Sequence, residues 1–177
     1  MTESSIGSLV SAATTVFIVL IFVRAVWHKL GAFTEFTGFV ADYKLFGERL
    51  VRPVSMGIVG AELAAVLLQL VPGAQAAGLL VAAALLALYA GAMAVNIRRG
   101  RTSIECGCGG AVQPLSWTLV ARNAILALLA IGAAMLGPYA LDVAGAIAAI
   151  ACGVSLWIAF LLAEQVIANS SAARLSR

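Results

Sequence analysis

Two cysteines stand one residue apart in a short polar break of an otherwise apolar chain. Cys106 and Cys108 flank Gly107 in the segment RTSIECGCGG, which holds two of the three cysteines in the sequence. A disulfide across a single residue closes a smaller ring than a Cys-x-x-Cys pair, so we expect some strain. Strained, exposed disulfides tend to be the labile or catalytic ones. The spacing therefore favours a pair that carries out thiol–disulfide exchange.

The sequence around this pair is basic. Arg98, Arg99 and Arg101 precede the cysteines, and a predicted helix begins shortly after them at Trp117. Nearby positive charge and a helix N-terminus both lower the pKa of a thiol and favour the nucleophilic thiolate. We predict Cys106 and Cys108 as the catalytic residues, with the three arginines as supporting residues.

Other roles for the cysteines are weaker alternatives. A metal site needs more ligands, and the chain adds only His28 and Cys152 to the soft donors, so we predict no metal site. Two inert loop cysteines are the second alternative, although exposed free thiols are usually reactive. Cys152 lies in an apolar stretch, where we interpret it as a small residue filling a contact between helices.

The composition places the chain in a membrane. Of 177 residues, 63% are hydrophobic and 11% are charged, whereas a soluble domain carries about 25% charged residues. We predict an all-α integral membrane protein with residues 1–177 forming one polytopic domain in the lipid bilayer. The basic residues flank the apolar spans, where they meet lipid headgroups, so the high pI predicts no nucleic-acid partner.

Five transmembrane helices are predicted, packed as a bundle. They cover about residues 6–27, 53–71, 76–97, 117–136 and 140–167, and the break at 98–116 is the predicted redox loop. Pro53 suits a helix start, and Ser116 suits an N-cap. We interpret the first span as a retained helix, because no Lys or Arg precedes it and its apolar run is too long for a signal peptide.

A sixth, shorter helix is predicted between the first two spans. In the segment Thr34–Phe46, apolar residues recur at helical spacing at Phe36, Phe39, Val40 and Tyr43. This pattern predicts an amphipathic helix lying along the membrane interface. An ordinary loop with aromatic interface anchors is the alternative.

The basic residues predict the orientation. With five spans, all 11 Lys and Arg residues fall on one side of the membrane or near the helix ends on that side. The positive-inside rule then predicts a bacterial inner-membrane protein with its N-terminus in the periplasm and its C-terminus in the cytoplasm. The same rule places the cysteine loop on the cytoplasmic side.

Three polar residues in or near the spans are further candidate site residues. Glu62 lies in the middle of the second span, where a carboxylate is costly and usually functional. We expect it to be protonated or to pair with Arg24 or Arg122, and a hydrogen bond between helices is an equal alternative. Asn96 and Asn123 are predicted to hold the cysteine loop or to serve in helix packing.

The order of these motifs resembles the methylamine utilisation protein MauE family. The resemblance runs from HKLGAFTEFTGFVADYKL through the AEL of Glu62 and NIRRGRTSIECGCGG to ARNAIL, about Lys29 to Leu126. Its sharpest part is an Arg-Gly followed by Cys-x-Cys-x-Gly, with Arg122 and Asn123 early in the next helix. The residue after the second cysteine is often Phe in the family pattern and is Gly109 here, which weakens any inference of aromatic packing beside the pair.

The resemblance implies a role in protein maturation. Members of this family are bacterial inner-membrane proteins that help to mature the disulfide-rich small subunit of methylamine dehydrogenase, together with a thioredoxin-like partner, MauD. It implies that Cys106 and Cys108 form the redox pair, with Glu62, Arg122 and Asn123 as weaker candidates. Bacterial disulfides form in the periplasm, which conflicts with the cytoplasmic side predicted for the loop.

Two other classes of function fit the sequence. One is a non-catalytic membrane assembly factor or anchor, in which the cysteines only brace a loop. The other is a small transporter or metal carrier with Glu62 as its intramembrane site. No cofactor is required by the sequence, and a quinone is the one candidate that would suit an intramembrane carboxylate beside a thiol pair.

Overall fold

The computed structural model describes residues 3–104, 114–137 and 141–175, and these residues form six α-helices connected by short segments. The helices are α1 (Glu3–Gly31), α2 (Phe33–Asp42), α3 (Glu48–Leu70), α4 (Gln75–Arg98), α5 (Trp117–Met135) and α6 (Val143–Leu175). All except α2 are long and apolar enough to cross a membrane. The predicted fold class, five membrane helices and one short amphipathic helix, is confirmed.

The second membrane helix begins earlier than its proline suggested. Helix α3 starts at Glu48, after the extended residue Gly47, and Pro53 lies inside it. A proline inside a helix removes one backbone hydrogen bond and is best tolerated in the first turn. Helix α3 continues through this defect, so Pro53 does not mark its start.

Four helices enclose the core of the bundle. Helix α1 contacts α3, α4 and α5, while α4 packs against both α3 and α5. The buried side chains at the centre are large on α1 and mostly small on the others; they include Phe17, Ile18, Phe22, Ala65, Leu79, Ala82, Ala127 and Ala130. Small residues let helix backbones approach closely, which is the main source of packing energy within lipid.

Helix α6 lies at the edge of this bundle and packs on α1. Only 11% of its apolar window is buried, against 33–39% for the other four spans. Its close contact is made by Gly153, where a Cβ atom would lie 2.6 Å from Val16 Cβ and 2.7 Å from the Ala13 carbonyl oxygen. Cys152 is exposed, so its interpretation as the residue filling a helix contact is wrong. The helical rotation that turns Gly153 inward turns its neighbour outward.

The basic end of the bundle is defined here as the end where α1 finishes, α3 begins, α4 finishes and α5 begins. The opposite end carries the turn between α3 and α4, where Gly73 adopts a positive φ of 83° that favours glycine. The segment holding the cysteines in sequence starts and finishes at the basic end. Helix α2 packs there against α1 and α3.

The short helix α2 is amphipathic, as predicted. Phe36 is buried and Phe39 and Val40 are partly buried, whereas Glu35 and Asp42 are exposed. The spacing of the apolar residues at three and four positions therefore gives one face that packs on the bundle. This face covers the basic ends of α1 and α3.

Candidate functional site

A buried ion pair joins α1 to α3 inside the bundle. The Lys29 ammonium donates a hydrogen bond to Glu62 Oε1, with the side chains 3% and 0% exposed. The Tyr89 hydroxyl, from α4, donates to the same oxygen at 2.7 Å. The Lys29 nitrogen also lies 5.2 Å from the centre of the Phe36 ring and 5.3 Å from that of Tyr89. Helices α1, α3 and α4, with Phe36 of α2, thus form one charge-neutral cluster. It gives the Glu62 carboxylate a countercharge and two hydrogen-bond donors, which lipid could not supply.

The predicted partners of Glu62 are wrong. Arg24 and Arg122 both pair with Glu164 of α6 instead, Arg24 at 2.7 Å and Arg122 at shorter range. The Arg122 guanidinium also lies 5.8 Å from the Phe160 ring centre. Lys29 rather than an arginine pairs with Glu62, because the end of α1 that carries Lys29 lies beside α3. The arginines then neutralise the only carboxylate that α6 carries among its described residues.

A small cavity separates the two ionic clusters. Its volume is about 40 Å³, and its lining includes Glu62, Tyr89, Arg122, Trp157 and Glu164. Among the described residues, Glu62 Oε2, Arg122 Nε and Trp157 Nε1 are buried and have no hydrogen-bond partner. Because about 10–15 Å³ suffices to hold a water molecule, the cavity has room for water. Water could bond to all three orphaned groups, one acceptor and two donors.

A second, much larger cavity lies between α2, α3 and α4. Its volume is about 540 Å³, and its walls are apolar apart from Lys29, Tyr43 and Tyr89. Tyr89 lines both cavities. The Lys29–Glu62–Tyr89 cluster therefore stands between a small polar cavity and a large apolar one.

Hydrogen bonds join the residues that precede the cysteine segment to those that follow it, and these residues are called the loop base. The Leu115 amide donates to the carbonyl oxygens of Thr102 at 3.0 Å and of Ile104 at 3.2 Å. Ile104 and Leu115 are buried against Met93 and Leu119, with Tyr43 and Tyr89 packed beside them. The base of this loop is thus anchored on the ends of α4 and α5, close to residues that line the large cavity.

Of the three arginines that precede the cysteines, Arg101 is the one that turns toward the bundle. Its guanidinium lies 3.4 Å from both the Tyr43 carbonyl oxygen and Asn96 Oδ1. Arg98 and Arg99 are exposed at the end of α4. Asn96, which is fully buried, also accepts the Arg101 backbone N–H through its carbonyl oxygen at 3.0 Å. This arrangement ties the first residues of the loop to α4.

The Asn123 side chain bonds within its own helix. Its amide nitrogen donates to the Leu119 carbonyl oxygen of its own helix at 3.1 Å, and its side chain lines the small cavity. Ser116 occupies the N-cap position of α5, with no hydrogen bond from its side chain to the helix. The predicted catalytic residues Cys106 and Cys108 lie outside the described residues.

Three residues of the two ionic clusters were missed as site residues by the sequence reasoning. Lys29 ends the first apolar span, and an intramembrane carboxylate needs a cation, so every basic residue at a span end was a candidate partner. Glu164 is a carboxylate within a long apolar stretch, which is the same signal that singled out Glu62. Tyr89 gave no comparable signal, because a tyrosine in a span is usual at the membrane interface.

Comparison with known proteins decides the family. The family model described as Methylamine utilisation protein MauE matches residues 7–137. The chain belongs to the MauE family. It is 37% identical over 136 residues to the methylamine utilization protein MauE of Paracoccus denitrificans, covering 76% of this chain and 73% of that protein. The resemblance seen in the sequence motifs is therefore confirmed.

Two further MauE proteins support the assignment. The protein of Paracoccus versutus is 40% identical over 134 residues, covering 75% of this chain and 72% of that protein. The protein of Methylophilus methylotrophus is 33% identical over 165 residues, covering 89% and 86%. No solved structure matches the chain. The MauE match includes the Lys29–Glu62–Tyr89 cluster and both loop cysteines, whereas Glu164 lies beyond it.

Proposed function

We propose that this MauE protein is a membrane thiol–disulfide exchange protein in which Cys106 and Cys108 are the redox pair. The observation that carries this proposal is the anchored loop base, where Leu115 hydrogen-bonds back to Thr102 and Ile104. Both cysteines fall, in sequence, between these anchors. A loop tied at its base to the basic end of the bundle can present a thiol pair to a partner outside the bilayer.

The exchange proceeds through a mixed disulfide. One thiolate attacks a sulfur of a partner disulfide, forming a bond between the two proteins and releasing one partner thiolate. The second cysteine then attacks the first, which forms the Cys106–Cys108 disulfide and releases the second partner thiolate. Two electrons pass from the pair to the partner, and the reverse sequence oxidises the partner. Arg101, held near the loop base by Asn96 and the Tyr43 carbonyl, adds positive charge that favours thiolates.

We propose a thioredoxin-like protein of the MauD kind as the direct partner. The small subunit of methylamine dehydrogenase is the proposed final client. The support is the membership of this chain in a family named for methylamine utilisation, together with the Cys-Gly-Cys sequence. An exported, disulfide-containing client requires oxidation outside the cytoplasm.

The location proposed is the bacterial inner membrane. The basic residues predict the loop on the cytoplasmic side, whereas an exported client is oxidised in the periplasm. Two arrangements reconcile these demands: a pair reachable from both faces in turn, or an orientation that a partner reverses. Labelling from one side of the membrane separates the two.

The proposal is tested by trapping the mixed disulfide. Replacing Cys106 or Cys108 singly with Ser removes the resolving thiol, so one of the two variants should accumulate a covalent complex with the thioredoxin-like partner. The complex should run at the summed mass on a non-reducing gel and disappear with dithiothreitol. Cys152→Ser is the matched control, because Cys152 is exposed on α6 away from the loop, and it should leave trapping unchanged.

Loss of function separates an exchange protein from an assembly factor. The double variant Cys106→Ser/Cys108→Ser should abolish maturation of the client while the protein still inserts and folds. Full maturation with the double variant would contradict the proposal and favour a non-catalytic anchor.

A further inference from the structure

We propose that the 540 Å³ cavity between α2, α3 and α4 binds the head group of a membrane-soluble quinone, with Lys29 donating a hydrogen bond to a carbonyl oxygen of the ring. This inference rests on the proposed function, because it names the electron acceptor of the cysteine pair. Its evidence is the position, size, charge and lining of the cavity.

The cavity is open to the lipid-facing surface. Phe46, Leu88 and Val95 line it and are 47%, 56% and 39% exposed. The volume of about 540 Å³ falls within the range of about 300–1,000 Å³ typical of small-molecule sites. A ligand entering through apolar walls from the bilayer must itself be lipophilic. Phe36 and Phe39 of α2, with Tyr43 and Phe46 just after it, offer flat surfaces to a ring.

The polar wall of the cavity suits a neutral hydrogen-bond acceptor. Lys29 has three N–H donors, and among the described residues Glu62 accepts a single one. Lys29 and Glu62 already neutralise each other, so an anionic head group would bring a buried charge without a partner, at a cost of several kcal/mol. A quinone carbonyl accepts hydrogen bonds without adding charge. An acyl chain would leave the remaining Lys29 donors unused.

The neighbouring small cavity gives protons a route to this wall. Tyr89 lines both cavities, and Glu62, whose Oε2 has no partner among the described residues, lines the small one, which has room for water. The redox step balances as follows: two thiols lose two electrons and two protons and become one disulfide, while the quinone gains both and becomes a hydroquinone. Lys29 would give a proton to a quinone oxygen, and water beside Glu62 would replace that proton at the Lys29–Glu62 pair.

The base of the cysteine loop lies close to this cavity. Tyr43 and Tyr89 line the cavity and also pack against the cluster of Met93, Ile104 and Leu115. A change in the redox state of the loop segment can therefore shift the side chains that line the quinone site, because the two are packed together. This proximity connects the proposed acceptor with the proposed donor.

Two glycines on α3 provide a matched test. Gly57 lines the cavity, whereas Gly60 does not, and a Cβ atom at either position meets nothing within 4 Å. Gly57→Leu should fill part of the cavity without disturbing the fold, and Gly60→Leu should add the same side chain outside it. Gly91→Leu, on α4, is a second filling variant with equally open space. Leucine also favours a helix more than glycine does.

Binding is measured with a short-chain ubiquinone and the purified protein in detergent micelles. The background is Cys106→Ser/Cys108→Ser, so that no electron transfer accompanies binding. We expect saturable binding near one quinone per chain, with Kd raised on the order of tenfold or more by Gly57→Leu and Gly91→Leu and unchanged by Gly60→Leu. Lys29→Met should also weaken binding, and oleate and phosphatidylglycerol should compete poorly.

Several results would overturn the inference. Equal ubiquinone affinity in the filling variants and in Gly60→Leu would place the quinone elsewhere. Efficient displacement by oleate would identify the cavity as a lipid site. The cysteine-trapping experiment is independent of these binding measurements. Trapping without quinone binding would contradict the quinone site and leave the proposed thiol–disulfide exchange standing. Quinone binding without trapping would contradict the proposed exchange and leave the quinone site standing.

Discussion

At the scale of residues, the Lys29–Glu62 pair is the clearest consequence of putting charge inside an apolar bundle. Neither group is more than 3% exposed, and each supplies the countercharge that the other needs. Tyr89 adds a hydrogen bond to the carboxylate. A buried pair of this kind contributes little net stability compared with an apolar pair, but removal of one member leaves an uncompensated charge. Removing one partner is therefore strongly destabilising, whereas replacing both partners with apolar residues changes stability little.

A double-mutant cycle tests this asymmetry. Glu62→Leu and Lys29→Met should each lower the free energy of unfolding by about 3–5 kcal/mol, because each leaves one buried charge. The double variant should recover much of the loss, giving a large positive interaction energy. Unfolding by denaturant in detergent micelles measures all four proteins. Glu48→Gln, at an exposed position in the first turn of α3, should change stability by less than about 0.5 kcal/mol. Additive losses in the double variant would refute the pairing.

Tyr43 predicts a pH dependence outside the membrane spans. Burial raises the pKa of Tyr43 from its usual value of 10.0 to about 12. Between pH 10 and pH 12 the unfolded chain therefore loses this proton while the folded protein keeps it. Stability due to Tyr43 is complete below pH 10 and falls as pH rises through this window.

The variant Tyr43→Phe isolates this contribution. Unfolding curves of both proteins from pH 8 to pH 12 should show a smaller loss of stability in the variant above pH 10 and parallel behaviour below it. Identical slopes above pH 10 would show that the hydroxyl is not buried in the folded protein.

At the scale of elements, α6 packs most closely on α1 at Gly153. Gly153 lets the two helices approach, since a Cβ atom there would press on Val16 and on the backbone oxygen of Ala13. Glu164 adds a polar connection to Arg24 and, on α5, to Arg122. A peripheral helix with little buried surface is thus held by a glycine contact and an ionic cluster.

Adjacent substitutions on α6 test the role of the glycine. Gly153→Ala should destabilise the protein by about 1–3 kcal/mol, despite the better helix propensity of alanine, because the Ala13 oxygen cannot move independently. Cys152→Ala, one residue away and exposed, should be close to neutral. Val16→Ala combined with Gly153→Ala should restore only part of the loss. Thermal unfolding in micelles makes the comparison, and equal stability of the two single variants would mean that α6 does not pack as described.

At the scale of the whole molecule, charge distribution predicts the orientation of the bundle. The turn between α3 and α4 carries no Lys or Arg, while the basic end carries Arg98, Arg99 and Arg101. The positive-inside rule predicts that the basic end faces the cytoplasm. Orientation also decides which compartment the cysteine loop reaches.

Single reporter cysteines in a chain without its native cysteines test the orientation. Pro72→Cys, in the exposed turn, should react with a membrane-impermeant maleimide in intact spheroplasts. Ser103→Cys, exposed at the basic end, should react only after the membrane is permeabilised. Labelling in the opposite order would show that the basic end faces the periplasm, as direct exchange with an exported client requires.

Much of the fold followed from simple rules. Five apolar stretches, each long enough to span a bilayer, predicted the five long helices, because lipid leaves the backbone few alternatives. The amphipathic spacing of Phe36, Phe39 and Val40 predicted α2. The start of α3 was misplaced, since Pro53 can be accommodated inside a helix at the cost of one hydrogen bond.

The membrane class, the number of spans, the intramembrane carboxylate and the family could all be predicted from the chain alone. All of these depend on local composition, spacing or motif order. The packed bundle was needed to show that Lys29 and Tyr89 bind Glu62 and that Arg24 and Arg122 bind Glu164. It was also needed to show that Gly153 rather than Cys152 makes the helix contact. The physical reason is that pairing depends on which faces of distant helices meet, and helix rotation and depth are set by packing across the whole bundle.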